Sequence, residues 1–163
     1  MNKSLVKRDF FFKKASIMQN ELAEIQVSYS TKNLNKIKIK SVDTAAQVLR
    51  NAWNNDIIEL QEEFKVLLLN RSSETLGIYS LSKGGITGTV VDIRLLFAVA
   101  LKCNSTSIII AHNHPSGKLQ ASESDLALTR KIKKCSEFLD IELLDHLIIT
   151  KNGFYSFATE GKL

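Results

Sequence analysis

The chain has 163 residues, of which 44% are hydrophobic and one is proline. This length and composition predict one globular domain with its own core and exclude a disordered or linker-rich chain. The formal net charge is +5, and five basic residues against one acidic residue place +4 of it within the first fourteen positions. Such a basic tail could contact nucleic acid weakly through its charge, although most ends of this kind are simply solvated.

The N-terminal end shows no targeting or membrane pattern. The three phenylalanines at 10–12 are too few for the apolar core of a secretory signal, and no later apolar stretch approaches the length of a membrane span. We therefore expect a cytoplasmic protein without a membrane segment. Residues 1–40 are interpreted as a basic N-terminal extension with possible short strands at 25–30 and 36–40, and residues 41–163 as the folded domain.

Hydrophobic periodicity in the folded domain alternates between helical and extended patterns and predicts an α/β fold. Ser41 is expected to cap a helix that ends near Asn54, and glycines at 84, 85 and 88 to separate a hairpin from the next helix. The other predicted elements are strands at 64–69 and 75–82, a helix at 92–102, a strand at 106–111, a helix after Ser122, and strands at 141–149 and 154–157.

Two histidines directly follow the β-branched stretch 106–111. Residues two apart in an extended chain point to the same side, so His112 and His114 can converge on one ion while Asn113 faces away. Pro115 cannot donate to a sheet ladder, and with the glycine after it the chain is expected to leave the sheet.

Ser122 has the features of a helix N-cap, with Asp125 in the first turn of the helix. Two neutral imidazoles and one carboxylate leave the fourth tetrahedral position of Zn²⁺ open, which is typical of catalytic zinc sites. The alternative is an ordinary capping box, the usual interpretation of Ser-x-x-Asp standing alone. The ordered series of strand, His-x-His, turn, Ser122 and Asp125 favours a zinc site formed by His112, His114 and Asp125.

At these residues the chain resembles a known family. His112, His114, Ser122 and Asp125 reproduce the HxHx7SxxD signature of the JAMM (MPN) metalloproteases, and the runs HNHPSG and LDHLII resemble the RadC branch of that superfamily. The resemblance spans roughly residues 40–158 and implies a single JAB/MPN domain, related in fold to cytidine deaminases, with a mixed sheet flanked by helices. It also implies one zinc ion bound by the two histidines and the aspartate. RadC proteins are traditionally labelled DNA repair proteins, whereas the motif itself belongs to proteases and isopeptidases.

The resemblance further implies a general base ahead of an early strand, where the chain offers Glu62 and Glu63. The RadC pattern places this glutamate two positions before a phenylalanine, which favours Glu62; a solvated carboxylate is the alternative for either. Glu62 would accept a proton from metal-activated water and return it to the leaving amine. Ser122 is the candidate donor to the carbonyl oxygen, a role compatible with capping only if its hydroxyl proton points outward.

Asp145 and His146 are adjacent in the apolar strand 141–149 and point to opposite faces. Structural pairing is the interpretation for both, and a place for Asp145 behind a metal ligand is the less favoured alternative. Cys103 and Cys135 form no CxxC pair, so neither is expected to bind zinc or to form a disulfide.

The sequence therefore predicts a zinc-dependent hydrolase that acts on a peptide, isopeptide or other amide substrate. A zinc deaminase is disfavoured because the chain lacks the His-x-Glu and Pro-Cys-x-x-Cys motifs. The second hypothesis is a non-catalytic DNA- or protein-binding module associated with DNA repair or recombination, which need not retain a metal.

Overall fold

The computed structural model describes residues 28–30, 35–85 and 88–163. The basic tail and the first half of the strand predicted at 25–30 lie outside these residues, and residues 28–30 are not part of a strand. None of the helices in the described part of the chain combines the length and the hydrophobicity that crossing a bilayer requires.

The strand predicted at 36–40 is reduced to a single antiparallel bridge between Lys38 and Glu74. The segment pairs with the turn before the second strand rather than with a straight strand, and Ser73 in that turn has a φ of 58°. The backbone N–H of Ile39 donates to the carbonyl of Ser73, and the backbone N–H of Thr75 donates to the carbonyl of Ile37. The alternating lysines of the sequence are thus exposed without forming a regular strand.

The described residues form five strands and three helices: one helix, two strands, a second helix, a third strand, a third helix and two final strands. The strands are β1 Glu63–Leu69, β2 Thr75–Lys83, β3 Ser107–Asn113, β4 Glu142–Ile149 and β5 Phe154–Ser156. The helices are α1 Val42–Asn51, α2 Ile93–Lys102 and α3 Glu123–Phe138.

The strands form one mixed sheet in the order β2-β1-β3-β4-β5. Strands β3 and β4 are parallel, and the other neighbours are antiparallel. Parallel neighbours require a crossover, which α3 supplies. In the register of the sheet, His112 at the end of β3 lies between Phe64 of β1 and Ile148 of β4.

Two apolar clusters on opposite faces of the sheet make the fold three layers thick. The face with Phe64 and Ile110 packs against α2 and α3, and the face with Leu67 and Ile109 packs against α1. Alternate residues of β1 and β3 enter the two clusters, as expected for strands buried on both sides. The α/β fold predicted from the sequence is confirmed.

Element boundaries differ from the prediction at two places that matter for the site. Helix α1 has Ser41 as its N-cap but ends at Asn51 rather than near Asn54, because the chain turns there to bury Trp53 against the sheet. Strand β3 continues to Asn113, so His112 lies within the strand rather than beyond its end.

Candidate metal centre

The two histidines that follow the apolar part of β3 converge as their spacing predicts. His112 faces the α3 side of the sheet, and His114 follows directly after the last residue of the strand. Their Nε2 atoms are 3.0 Å apart. Asn113, between them, points to the opposite side, where its side chain contacts Trp53.

Asp125 reaches the same point from the first turn of α3. One carboxylate oxygen is 3.4 Å from His112 Nε2, and the other is 3.7 Å from His114 Nε2. One ligand atom from each of the three residues lies within 4.8 Å of the other two. Ligand atoms held at about 2.0–2.1 Å by a tetrahedral zinc ion are roughly 3.4 Å apart, so this donor set and its spacing fit zinc.

Ser122 forms the N-cap of α3 as predicted, but its hydroxyl proton does not point outward. Its Oγ accepts from the backbone N–H of Asp125 at 3.2 Å and donates to the Asp125 carboxylate at 2.6 Å. The same carboxylate oxygen accepts from the backbone N–H of Ser122 at 2.7 Å, which completes a capping box. The sequence presented the capping box and the metal site as alternatives, whereas Asp125 is placed to serve both.

The loop between His114 and α3 orients the His114 ring. Gly117 adopts a φ of 75°, a conformation that glycine allows without strain, and the carbonyl of Lys118 is 2.8 Å from His114 Nδ1. A carbonyl can only accept, so Nδ1 carries a proton and Nε2 of the neutral ring is left unprotonated, as a metal ligand requires. Sequence reasoning missed this contact because a main-chain carbonyl has no residue signature.

His146 of β4 lies directly behind His112, a role that sequence reasoning missed. Its Nε2 is 2.9 Å from His112 Nδ1, and its Nδ1 is 2.6 Å from the Thr129 hydroxyl on α3. His146 is completely buried and its ring stacks on Phe157 at a centroid distance of 4.3 Å. The parity of His146 along β4 gave its face, but the contact depends on the register between β3 and β4.

Asp145 points away from the centre and is paired structurally, as the favoured interpretation predicted. Its carboxylate accepts from the Ser156 hydroxyl at 2.6 Å and from the backbone N–H groups of His146 and Ala158. Burial raises the pKa of Asp145 even though these hydrogen bonds lower it. The less favoured alternative, Asp145 behind a metal ligand, is wrong.

Of the two adjacent glutamates, Glu62 faces the candidate ligands. It lines a cavity of about 520 Å³ together with His112, His114 and Asp125. Glu63, in contrast, is buried on the other side of β1 and forms an ion pair with Lys65 at 3.1 Å.

The backbone around Glu62 is fixed from both sides by Asn113. The Asn113 side-chain oxygen accepts from the N–H of Glu63 at 2.7 Å, and its amide group donates to the carbonyl of Gln61 at 2.8 Å. It also donates to the carbonyl of Ile58 at 2.7 Å. The residue between the two candidate ligands therefore ties the Glu62 segment to the end of β3.

Burial and mutual interactions shift the pKa values of the titratable groups in the site. Burial lowers the pKa of His112 to about 4 and thus favours its neutral form. Contact with Asp125 raises the pKa of His114. Burial would raise the pKa of Asp125. The contact with His114, the electrostatic interaction with His112 and the hydrogen bonds to Ser122 outweigh burial and hold that pKa well below its usual range. Burial raises the pKa of Glu62, with His114 opposing the shift.

The family model of the RadC-like JAB domain matches residues 39–162. The chain belongs to this family. A UPF0758 protein of Flavobacterium johnsoniae is 52% identical over 100 residues, which cover 61% of this chain and 44% of the relative. A UPF0758 protein of Clostridium beijerinckii is 42% identical over 128 residues, which cover 78% of this chain and 54% of the relative.

The chain spans about half the length of these curated relatives. Its RadC-like JAB domain contains the three candidate ligands together with Glu62 and Ser122. The single α/β unit with a mixed five-stranded sheet and flanking helices is consistent with the JAB/MPN fold that the sequence resemblance implied.

Proposed function

We propose that this RadC-like JAB domain is a zinc-dependent hydrolase of the JAMM type that cleaves a peptide, isopeptide or other amide bond. One observation supports it above the others: His112, His114 and Asp125 bring three ligand atoms within 4.8 Å of one another. They do so at the wall of a cavity that Glu62 also lines. Zinc sites with three protein ligands are typically catalytic because the fourth position is left to water or substrate.

Zinc held by these residues would supply a water of lowered pKa and would polarise a carbonyl oxygen of the substrate. Glu62 accepts the proton of the attacking water and returns it to the leaving amine. Burial raises the pKa of Glu62, which favours its uptake of a proton.

The first role of Ser122 is to orient Asp125, because the Ser122 hydroxyl donates to the Asp125 carboxylate at 2.6 Å. Stabilisation of a developing negative charge on the substrate would require this hydroxyl to turn away from Asp125 and towards the carbonyl oxygen. The backbone N–H of Ser122 would still hold the carboxylate at 2.7 Å during such a turn.

The first test is metal content. After preparation in zinc-supplemented medium, elemental analysis should find about one zinc per wild-type chain and far less in His112→Ala and Asp125→Ala. Bound zinc should also raise the melting temperature of the wild type. At a zinc concentration of 100 times Kd, it should increase the free energy of unfolding by about 2.7 kcal/mol. If the wild type carries no more zinc than His112→Ala, the proposal is wrong.

The second test separates binding from chemistry. Glu62→Gln should retain zinc and lose roughly a hundredfold or more of the cleavage rate towards a peptide and isopeptide library, since it can no longer accept a proton. Glu142→Gln is the matched control, because Glu142 is exposed at the far end of the sheet. Cleavage by Glu62→Gln at the wild-type rate would contradict the role of Glu62. Zinc binding without any cleavage would favour a non-catalytic binding module.

A further inference from the structure

We propose that Thr129 and His146 are positioning residues that hold His112 in the tautomer with its proton on Nδ1, so that its Nε2 lone pair faces the candidate metal site. The inference rests on the proposed zinc site for its function. The tautomer itself is a property of the chain and can be measured without metal.

The chain of hydrogen bonds begins at a main-chain carbonyl of α3. The Thr129 hydroxyl is 2.6 Å from the carbonyl oxygen of Asp125 and 2.6 Å from Nδ1 of His146. A carbonyl cannot donate, so the single hydroxyl proton of Thr129 is committed to it. The hydroxyl oxygen must then accept from His146, which places a proton on His146 Nδ1.

The protonation of His146 in turn determines that of His112. His146 has no exposed surface, so its neutral form is favoured and only one of its ring nitrogens carries a proton. With that proton on Nδ1, the Nε2 of His146 is an acceptor. His112 Nδ1, 2.9 Å away, must donate to it, and the lone pair of His112 is left on Nε2.

Asp125 therefore controls the site through two different atoms. Its carboxylate is a candidate ligand, while its main-chain carbonyl fixes the tautomer of His112 through Thr129 and His146. The tautomer of His114 is fixed separately by the carbonyl of Lys118. Both candidate imidazole ligands are thus set by carbonyls, which have no alternative protonation state, and the two sets of contacts can be tested independently.

The decisive variant is Thr129→Val, which keeps the shape of the side chain and removes the hydroxyl. Ser136→Ala is the matched control: Ser136 lies on the same helix, is also buried, and donates its hydroxyl to a helix carbonyl, but it lines no part of the site. Zinc affinity, measured by competition with a chelator, should fall about 10- to 100-fold in Thr129→Val and stay within about twofold of wild type in Ser136→Ala.

A second pair of variants tests the acceptor behind His112. His146→Phe leaves the Nδ1 proton of His112 without an acceptor, whereas His146→Gln offers an amide oxygen near the position of the lost Nε2. Zinc affinity should fall further in the phenylalanine variant than in the glutamine variant. Near-ultraviolet circular dichroism establishes that each variant is folded, and Thr129→Val decides the question if a substitution of His146 prevents folding.

Nitrogen-15 NMR of the imidazole rings in zinc-free protein gives a readout that does not depend on activity. The wild type should show His112 and His146 protonated on Nδ1, and Thr129→Val should show a mixture of tautomers. A folded Thr129→Val protein with wild-type tautomers and wild-type zinc affinity would overturn the inference, as would a wild-type His112 protonated on Nε2. Absence of zinc binding by the wild type would instead defeat the proposed function, while the tautomers would still decide this inference.

Discussion

At the scale of single residues, Asn113 shows how one buried amide can satisfy several groups at once. Its oxygen accepts from Trp53 Nε1 and from the N–H of Glu63, and its nitrogen donates to the carbonyls of Ile58 and Gln61. All four hydrogen-bonding positions of the amide are used, with no exposed surface left. Glutamine carries the same amide, but on a side chain that is one methylene longer.

We expect Asn113→Ala to lower the free energy of unfolding by about 3 kcal/mol, because it removes three buried hydrogen bonds and one that is partly buried. Chemical denaturation of metal-free protein measures this value. Asn54→Ala is the control, since Asn54 is exposed and, among the residues that the structure describes, its side chain accepts only from the N–H of Asp56; it should cost less than about 1 kcal/mol. A loss below about 1 kcal/mol in Asn113→Ala would contradict this account of the amide.

At the scale of elements, the start of α3 combines helix capping with the candidate metal centre. Ser122 and Asp125 exchange hydrogen bonds in both directions, and the Ser122 hydroxyl also orients the carboxylate. Helix α1 has a simpler N-cap, in which Ser41 accepts from the N–H of Thr44 at 3.3 Å and contacts no candidate ligand. A comparison of the two caps therefore distinguishes the stabilisation of a helix from the orientation of a candidate ligand.

Ser122→Ala and Ser41→Ala should each lower the free energy of unfolding of the metal-free protein by about 1 kcal/mol, the usual cost of a lost N-cap. Only Ser122→Ala should weaken zinc binding, by about tenfold, because only that hydroxyl holds the carboxylate of Asp125. Thermal denaturation and chelator competition measure the two effects. Equal zinc affinities in the two variants would show that Asp125 needs no support from the hydroxyl.

At the scale of the whole molecule, Asp145 links β4 to the C-terminal segment after β5 and makes stability depend on pH. Burial raises its pKa in the folded chain above the ordinary value near 3.9. Between these two pKa values the folded state binds more protons than the unfolded state. Stability contributed by this group therefore increases as pH falls from the folded pKa towards about 4, and it is lost as pH rises.

As pH is lowered from 7 to about 4, the free energy of unfolding of the wild type should increase relative to that of Asp145→Asn. Below about pH 4 the difference between the two should stay constant. Ser156→Ala removes a hydrogen bond that lowers the pKa of Asp145, so it should widen this pH window. Denaturant titrations with a chelator present keep metal binding out of the comparison. A difference that is constant, or that shrinks towards low pH, would refute the assignment.

The parts of this molecule that depend on local sequence could be predicted. Strand β3, the cap of α3 and the convergence of His112, His114 and Asp125 follow from a short stretch of chain with period-two alternation and capping chemistry. The sequence also contained an indication that Glu63 is paired structurally. Lys65, two residues later, lies on the same face of the strand and forms an ion pair with it.

The supporting contacts could not be predicted because they depend on tertiary register. His146 reaches His112 only through the parallel pairing of β3 with β4, which contains a register shift between Ile108 and Ile109. Thr129 belongs to this network because the crossover lays α3 over the same face. Hydrophobic periodicity reports the face of a residue but not its neighbour on the next strand.

The three candidate ligands arise from one continuous piece of chain, from the end of β3 to the first turn of α3, whereas Glu62 reaches the cavity from the start of β1. The proposed metal binding and the proposed catalysis therefore depend on separate parts of the chain, and different mutations can remove one and spare the other. A variant that lacks only Glu62 could therefore still bind a metal between the strand and the helix without cleaving any substrate. Metal stoichiometry alone is thus no substitute for a measured rate of bond cleavage.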